Sequence, residues 1–467
     1  MQISKLMERQ NKPAGRSGLN GGNMLFSPAD LRRLIYPLLI EQTLAILVGM
    51  LDTMMVSSVG EAAISGVSII NEINALMINL LAALATGGAV IVSQYLGADN
   101  RDHANLSASQ LIMTATGASM ILMVICEIFN RQIIQMIYGS IDEEVMSASV
   151  IYFRITAVSF PFLAAYNGCA ALYRSMRKTS VTMWVSMLMN IINLVGNYVG
   201  IHVLKIGVAG VAWPTLISRA VAAIIMMNLA FNKKNPVYLN WKGIFSWNGG
   251  IIKEVLGIAI PNGVENGLFQ LGRVMVASII TTYGTTQIAA NGVGNNAGSI
   301  GMVFCFAINM GTVTVIGQCV GANEYDQARY YMRKLILMNT FFTALLNVLI
   351  WIFTPQLVGM YKITEEGAEI ARTMILWHCI ATPLLHPMAF TLPNGLRAAG
   401  DAKYTMIVGV LSMFAARIGG SYVMGTLLGM KVLGTYLAMF LDWLVRIVFF
   451  SIRYKSNKWT KYRVVKD

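Results

Sequence analysis

Asp52 and Glu41 lie in LRRLIYPLLIEQTLAILVGMLDTMMVS, residues 31–57, a stretch otherwise apolar enough to sit in hydrocarbon. They are eleven residues apart, about three helical turns, so both carboxyl groups point to nearly the same side of one helix. A carboxylate in a bilayer costs at least ~2.5 kcal/mol, so two on one face imply a protein-lined, partly wet interior. Such acids bind a cation, carry a proton, or hold neighbouring helices together. Pro37, one turn before Glu41, removes a backbone donor and crowds the carbonyl behind it, so it should bend the helix or let it bend. Further on, MLMNIINLVGNYVG sets Asn190, Asn193 and Asn197 on one helix face. Amides without partners do not face lipid, so this face looks inward. Two chemistries fit it. One is interhelical hydrogen bonding, worth ~0.6 kcal/mol a bond. The other is a ring of oxygen ligands near Asp52 for a small hard cation or a proton relay.

The second half carries a related set. Glu265 stands four residues after Pro261, as Glu41 stands four after Pro37. Arg273 is two turns from Glu265, too far for the usual one-turn pair. His378 and His386 flank Pro383, and Pro387 follows; these prolines should break the helix around them. A histidine titrates near neutral pH, so each can carry a proton or make a plain polar contact. Asp442 and Arg446 are four apart and should form an intrahelical ion pair. Glu72 and Arg154 fall near span ends, where snorkelling to the interface suffices.

These groups need membrane-crossing helices to position them. The chain is 56% apolar and 12% charged, where a soluble protein of this size would carry about twice that charge. Apolar runs place about twelve spans near 31–57, 63–95, 103–129, 145–171, 180–202, 207–231, 251–282, 287–319, 326–353, 366–393, 403–428 and 431–453. The net charge of +13 would suit nucleic acid, but its distribution does not. Alternating loops put roughly 25 Lys and Arg on the side of the termini and about 4 opposite. That bias predicts a multi-pass protein of the plasma (inner) membrane with both termini cytoplasmic, and no nucleic-acid partner. The stretch from Met1 to Met24 lacks an apolar core, so it reads as a flexible tail and not as a signal peptide. The five cysteines form no CxxC pair and read as buried thiols.

The spans repeat. Pro37, Glu41, Gly60, Asn71 and Gly87 recur at one constant offset as Pro261, Glu265, Gly284, Asn295 and Gly311. VSQYLGA at 92–98 recurs as IGQCVGA at 316–322, and Pro161 and Arg174 match Pro383 and Arg397. The expected fold is an all-α integral membrane protein of about twelve transmembrane helices in two six-helix bundles related by pseudo-two-fold symmetry. Residues 1–30 would be a cytoplasmic tail, 31–231 and 251–453 the bundles, 232–250 a cytoplasmic linker, and 454–467 a basic cytoplasmic tail. In such parallel repeats the binding site lies between the halves. No nucleotide loop, nucleophile elbow or Cys/His metal cluster is visible, so the chain reads as no enzyme and needs no cofactor beyond a coupling ion.

This pattern resembles the multidrug and toxic compound extrusion (MATE) family along nearly the whole chain. The most specific stretches are PLLIEQTLAILVGMLDTMMVSSVGEAAIS, VSQYLGADNRDHA, IGQCVGANEYDQA and NGLRAAGDAKYTM. The resemblance implies two six-helix bundles forming a V around a central cavity, exporting cationic amphipathic compounds in exchange for Na⁺ or H⁺. It makes Pro37 the bending proline and Asp52 the cation- or proton-binding acid. Asn193, Asn197 and Thr215 become that acid's partners, and metal ligands only if the ion is Na⁺. Asn197 stands where some members have a second acid. Phe269 stands where some have a seventh-span acid, and His386 falls on another acid position.

The expectation is therefore a monomeric secondary antiporter for small organic cations, working among membrane lipids by alternating access. Glu41, Glu265 and His386 would line its substrate cavity. Other readings are a lipid-linked oligosaccharide flippase of the same broad fold, against which the acids argue, and a non-transporting membrane scaffold.

Overall fold

A segment in hydrocarbon must satisfy its backbone polar groups internally, and a helix does so. The computed structural model describes residues 24–56, 59–139, 141–361 and 363–465, and every regular element among them is helical. Of the tail expected over 1–30, residues 1–23 lie outside the described residues, as do Lys362 and Lys466 of the charge bias.

Twelve rods follow in order. α1 is Pro28–Val56, α2 Glu61–Gly97 and α3 Arg101–Ile128. α4 is Glu143–Val158 plus Phe160–Ser175, bent by 44° just before Pro161. α5 is Thr179–Tyr198 with a π turn at Val199–Val203, and α6 is Ala209–Ala230. α7 is Gly249–Thr281, α8 is Thr285–Gly301 plus Val303–Gly321, and α9 is Tyr325–Ile352. α10 runs through Glu365–His386, a π turn at Pro387–Thr391, and Leu392–Ala398. α11 is Ala402–Ser412 with π turns at Met413–Gly419 and Ser421–Leu427, and α12 is Lys431–Lys455. Among the described residues nine helices are long and apolar enough to cross a membrane, or ten counting the bent pair of α4. The prolines of α10 do not break it, because the chain absorbs Pro387 by widening into a π turn.

The faces of α9 show how each rod is oriented. Leu337, Phe341, Leu345, Val348 and Ile352 are exposed, while Asn339, Thr343 and Asn347 are buried. Lipid satisfies the first set; hydrogen bonds such as Asn339 to Thr391 at 2.9 Å satisfy the second. Pro37 cannot donate to the Arg33 carbonyl one turn back. The Thr179 hydroxyl of α5 points there instead, 3.0 Å from that carbonyl and 2.9 Å from that of Leu34. The five cysteines are free thiols, four of them buried.

α1–α6 form one bundle and α7–α12 the other. They meet along α2, which packs on α7 and α8, while α8 also packs on α1. At the end carrying both termini they close through contacts that obey the repeat. Gln94 of α2 donates to the Ala398 carbonyl at 2.7 Å, and Gln318 of α8 donates to the Ser175 carbonyl at 2.7 Å. A Cβ on Gly97 would overlap the Gln318 carbonyl oxygen, and one on Gly321 that of Gln94. Only glycine permits so close an approach.

The symmetry then fails. Arg177, three residues after Arg174, donates to Gln318 Oε1 at 2.9 Å and lies over the Phe26 ring at 3.7 Å. Its counterpart, three after Arg397, is Gly400, with φ of +99°. The C-terminal tail occupies the freed space. Val464 N donates to Gln94 Oε1 at 2.8 Å, Arg463 donates to the Gly321 carbonyl at 3.0 Å, and Trp459 is 2% exposed.

Gly321→Val is expected to hold the two bundles apart at this end. Spin labels on the exposed Asp99 and Asn323 would then show a longer distance population than the parent. An unchanged distribution would mean the bundles do not need this approach to close.

Candidate functional site

Asp52 lies near the end of α1 away from the termini, on a cavity of about 520 Å³ inside the first bundle. α5 and α6 supply its neighbours. Asn193 and Asn197, one turn apart on α5, are buried, and Thr215 stands on α6 beside them. The close packing follows from small residues, since a Cβ on Gly200 would overlap the Gly210 backbone. Asn197 donates to Asp52 Oδ1 at 2.9 Å. Thr215 donates to the Val211 carbonyl at 3.0 Å.

The Asn193 amide donates to Asp52 Oδ1 and Oδ2 at 3.2 and 3.1 Å, and its carbonyl faces the Thr215 hydroxyl at 3.1 Å. That arrangement suits a bare carboxylate. Asn197 Oδ1 is buried with no partner among the described residues. One acid and neutral oxygens suit a small hard ion or a proton; among the described residues no cluster of three or more His, Cys, Asp and Glu exists.

Arg219, Asn71 and Tyr152 line the same cavity, and neither Arg219 nor Tyr152 stands out in the sequence. Tyr152 donates to Asn71 Oδ1 at 3.2 Å, and Arg219 to the Ser159 hydroxyl at 2.7 Å. Asp52 itself forms no ion pair among the described residues.

Glu41 and Glu265 are elsewhere. Neither lines the Asp52 cavity. Glu41 is buried, accepts from the Thr182 hydroxyl at 3.0 Å, and stands 3.7 Å from Arg174. Glu265 is buried between Arg397 at 2.7 Å and Arg446 at 3.7 Å. The repeat-related arginines 174 and 397 thus neutralise the repeat-related acids, and no free charge is left to draw in a cation. Arg446 also pairs with Asp442 at 3.0 Å, as their spacing predicts. His386 also stands apart from the Asp52 cavity. It is buried, stacked on Phe390 at 4.3 Å between ring centroids, with Trp443 edge-on at 5.3 Å. His378 is buried against the Tyr436 hydroxyl at 3.0 Å. Arg154 pairs with Glu127 at 3.5 Å, and Glu72 accepts from Gln270 across the bundle interface at 3.2 Å.

The sequence model of the MatE family matches residues 37–199 and again 261–423, most of the chain, with the two matches starting at the corresponding prolines Pro37 and Pro261. The chain belongs to the MatE family. It is 27% identical to a Bacillus subtilis protein named as the uncharacterized transporter YisQ, over 93% of this chain and 96% of that one. It is 24% identical to the probable multidrug resistance protein NorM of Thermotoga maritima, over 93% and 94%. Among solved structures, one described as the outward-facing conformation of a multidrug resistance MATE family transporter of the MOP superfamily superposes with a TM-score of 0.84. It covers 92% of this chain and 96% of its own, at 18% identity.

This MatE chain is therefore a multi-pass membrane transporter and not an enzyme. Its second MatE repeat does not rebuild the cluster around Asp52. Val276 takes the repeat position of Asp52, and Phe269 packs under the Arg446 guanidinium at 5.4 Å.

Proposed function

We propose that this protein is a secondary antiporter of the plasma membrane, exporting cationic amphipathic compounds in exchange for Na⁺ or H⁺. The observation that carries this reading is Asp52: a carboxyl group on a polar-lined cavity with amide and hydroxyl neighbours and no countercharge paired to it among the described residues. The names of the relatives, probable multidrug resistance proteins among them, support the substrate class.

The Asp52, Asn193, Asn197 and Thr215 oxygens take the ion. The excess of Lys and Arg at the end of the termini supports placing that end in the cytoplasm. The closed end then faces inward and the Asp52 cavity outward. Substrate leaves from such a state and the ion enters. Ion and substrate need only favour opposite states, and a coupling of ~1–3 kcal/mol suffices. Pro37 gives α1 the joint through which Asp52 responds. Glu41 and Glu265 hold each bundle together through their arginines. The protein acts as a monomer within the lipid.

The test is efflux of a fluorescent organic cation from proteoliposomes, driven by an imposed Na⁺ gradient or an imposed pH gradient. Drive by Na⁺ alone makes the Asp52 cluster a metal site. Drive by pH alone makes Asp52 a proton carrier. Response to neither overturns the antiporter reading and favours the flippase.

A further inference from the structure

The linker between the bundles is fastened to the first of them. Tyr238 N donates to Asn105 Oδ1 of α3 at 2.9 Å, and Gln110 of α3 donates to the Gly243 and Ser246 carbonyls, both at 2.6 Å. A short helix, Trp241–Phe245, forms there. It turns Gly243 and Ile244 inward, where a Cβ on Gly243 would crowd Ser109. Its outward side is aromatic. Trp241, Phe245 and Trp247 are 60%, 81% and 78% exposed. Phe231, Trp241 and Phe245 stack as a ladder, with ring centroids 4.4 and 6.0 Å apart.

Depth identifies what meets these rings. Gln110 lies nine residues into α3, about 13.5 Å along its axis from Arg101. The linker therefore folds back beside a membrane-crossing helix and does not hang free below it. Tryptophan at that level settles in the boundary between headgroups and acyl chains. The repeat does not force this outward turn. The tail behind α12 holds the matching place in the second bundle, and it tucks under the closed end with Trp459 buried.

Charge identifies which lipid. Lys233, Lys234 and Lys242 are exposed, and none of them forms an ion pair among the described residues. No Asp or Glu occurs between Glu144 and Glu254, and Glu254 accepts from the Tyr95 hydroxyl at 3.4 Å. Lysines beside interfacial rings attract anionic headgroups.

We infer that the linker is an anionic-phospholipid site on the first bundle, with its rings in the interface and Lys233, Lys234 and Lys242 on the headgroup phosphates. The site adds a partner and holds whichever compound is exported.

The test places the full-length protein in phosphatidylcholine nanodiscs. Part of the lipid is replaced by brominated phosphatidylglycerol or, in a second series, by brominated phosphatidylcholine, and quenching of tryptophan fluorescence is read. At equal mole fraction the parent should be quenched more by the anionic lipid. Lys233→Gln, Lys234→Gln and Lys242→Gln together should lower that preference about fivefold or more with an unchanged melting curve, while arginine at the same three positions should keep it. Trp241→Phe with Trp247→Phe should remove the excess quenching although the other tryptophans remain. Equal quenching of the parent by the two lipids, or an excess that survives either the glutamine or the phenylalanine set, overturns the site. Competition by dissolved glycerol 3-phosphate at constant ionic strength would make the occupant a soluble anion and overturn it as well.

Discussion

Asp52→Asn is expected to abolish ion-driven efflux while the protein still folds and reaches the membrane. Asparagine is nearly the same size, so Asn193 and Asn197 keep a hydrogen-bonding neighbour. It can neither take up a proton nor attract a cation, so the feature proposed to couple transport to a gradient disappears. Removing a half-buried carboxylate also removes its desolvation cost, so thermal stability in detergent should stay level or rise. The measurement is gradient-driven dye efflux from proteoliposomes, paired with a melting curve. Normal efflux by the variant would show that the ion is handled elsewhere and would sink the mechanism.

Glu265→Gln should give the largest loss of stability. It leaves Arg397 and Arg446 buried, both facing a neutral amide. Breaking a buried pair by removing one partner costs roughly 3–5 kcal/mol, because the remaining charge stays desolvated. Asp442 still holds Arg446, so the damage centres on Arg397. Glu41→Gln should cost less, since only Arg174 faces that acid, at 3.7 Å, and it is partly exposed. Thermal unfolding of the purified variants checks the ranking. Adding Arg397→Gln to Glu265→Gln should recover part of the loss, since the stranded charge goes with it. Equal midpoints for both single variants would contradict the account.

The helices are legible in the sequence because hydrophobic run length is a local property and the spans end at local signals. The repeat is legible for the same reason: Pro37 and Pro261 keep their spacing from Glu41 and Glu265. Partnership is not local. Both Glu41 and Arg174 are visible as repeated residues, yet their pairing depends on how α1 and α4 pack, and an unpaired acid on a helix face looks the same as a paired one. The sequence therefore shows the two acids and not the arginines beside them. A stricter use of the repeat would reveal the pairing, since acid and arginine recur together. The surroundings of His386 are equally hidden, because a histidine among prolines gives no sign of the Phe390 and Trp443 rings that enclose it.

The tail at 459–464 bears on how the protein is made. Synthesis runs from the N-terminus, and early segments settle before later ones emerge. The first bundle can assemble with its own helices, but Gln94 waits for Val464, which emerges only after the whole second bundle. Gln318, on the later bundle, finds Arg177 already in place. The closed end is therefore completed only once α12 and the tail behind it have been made, and nascent protein cut short before Trp459 would have one of its two matching seals unmade.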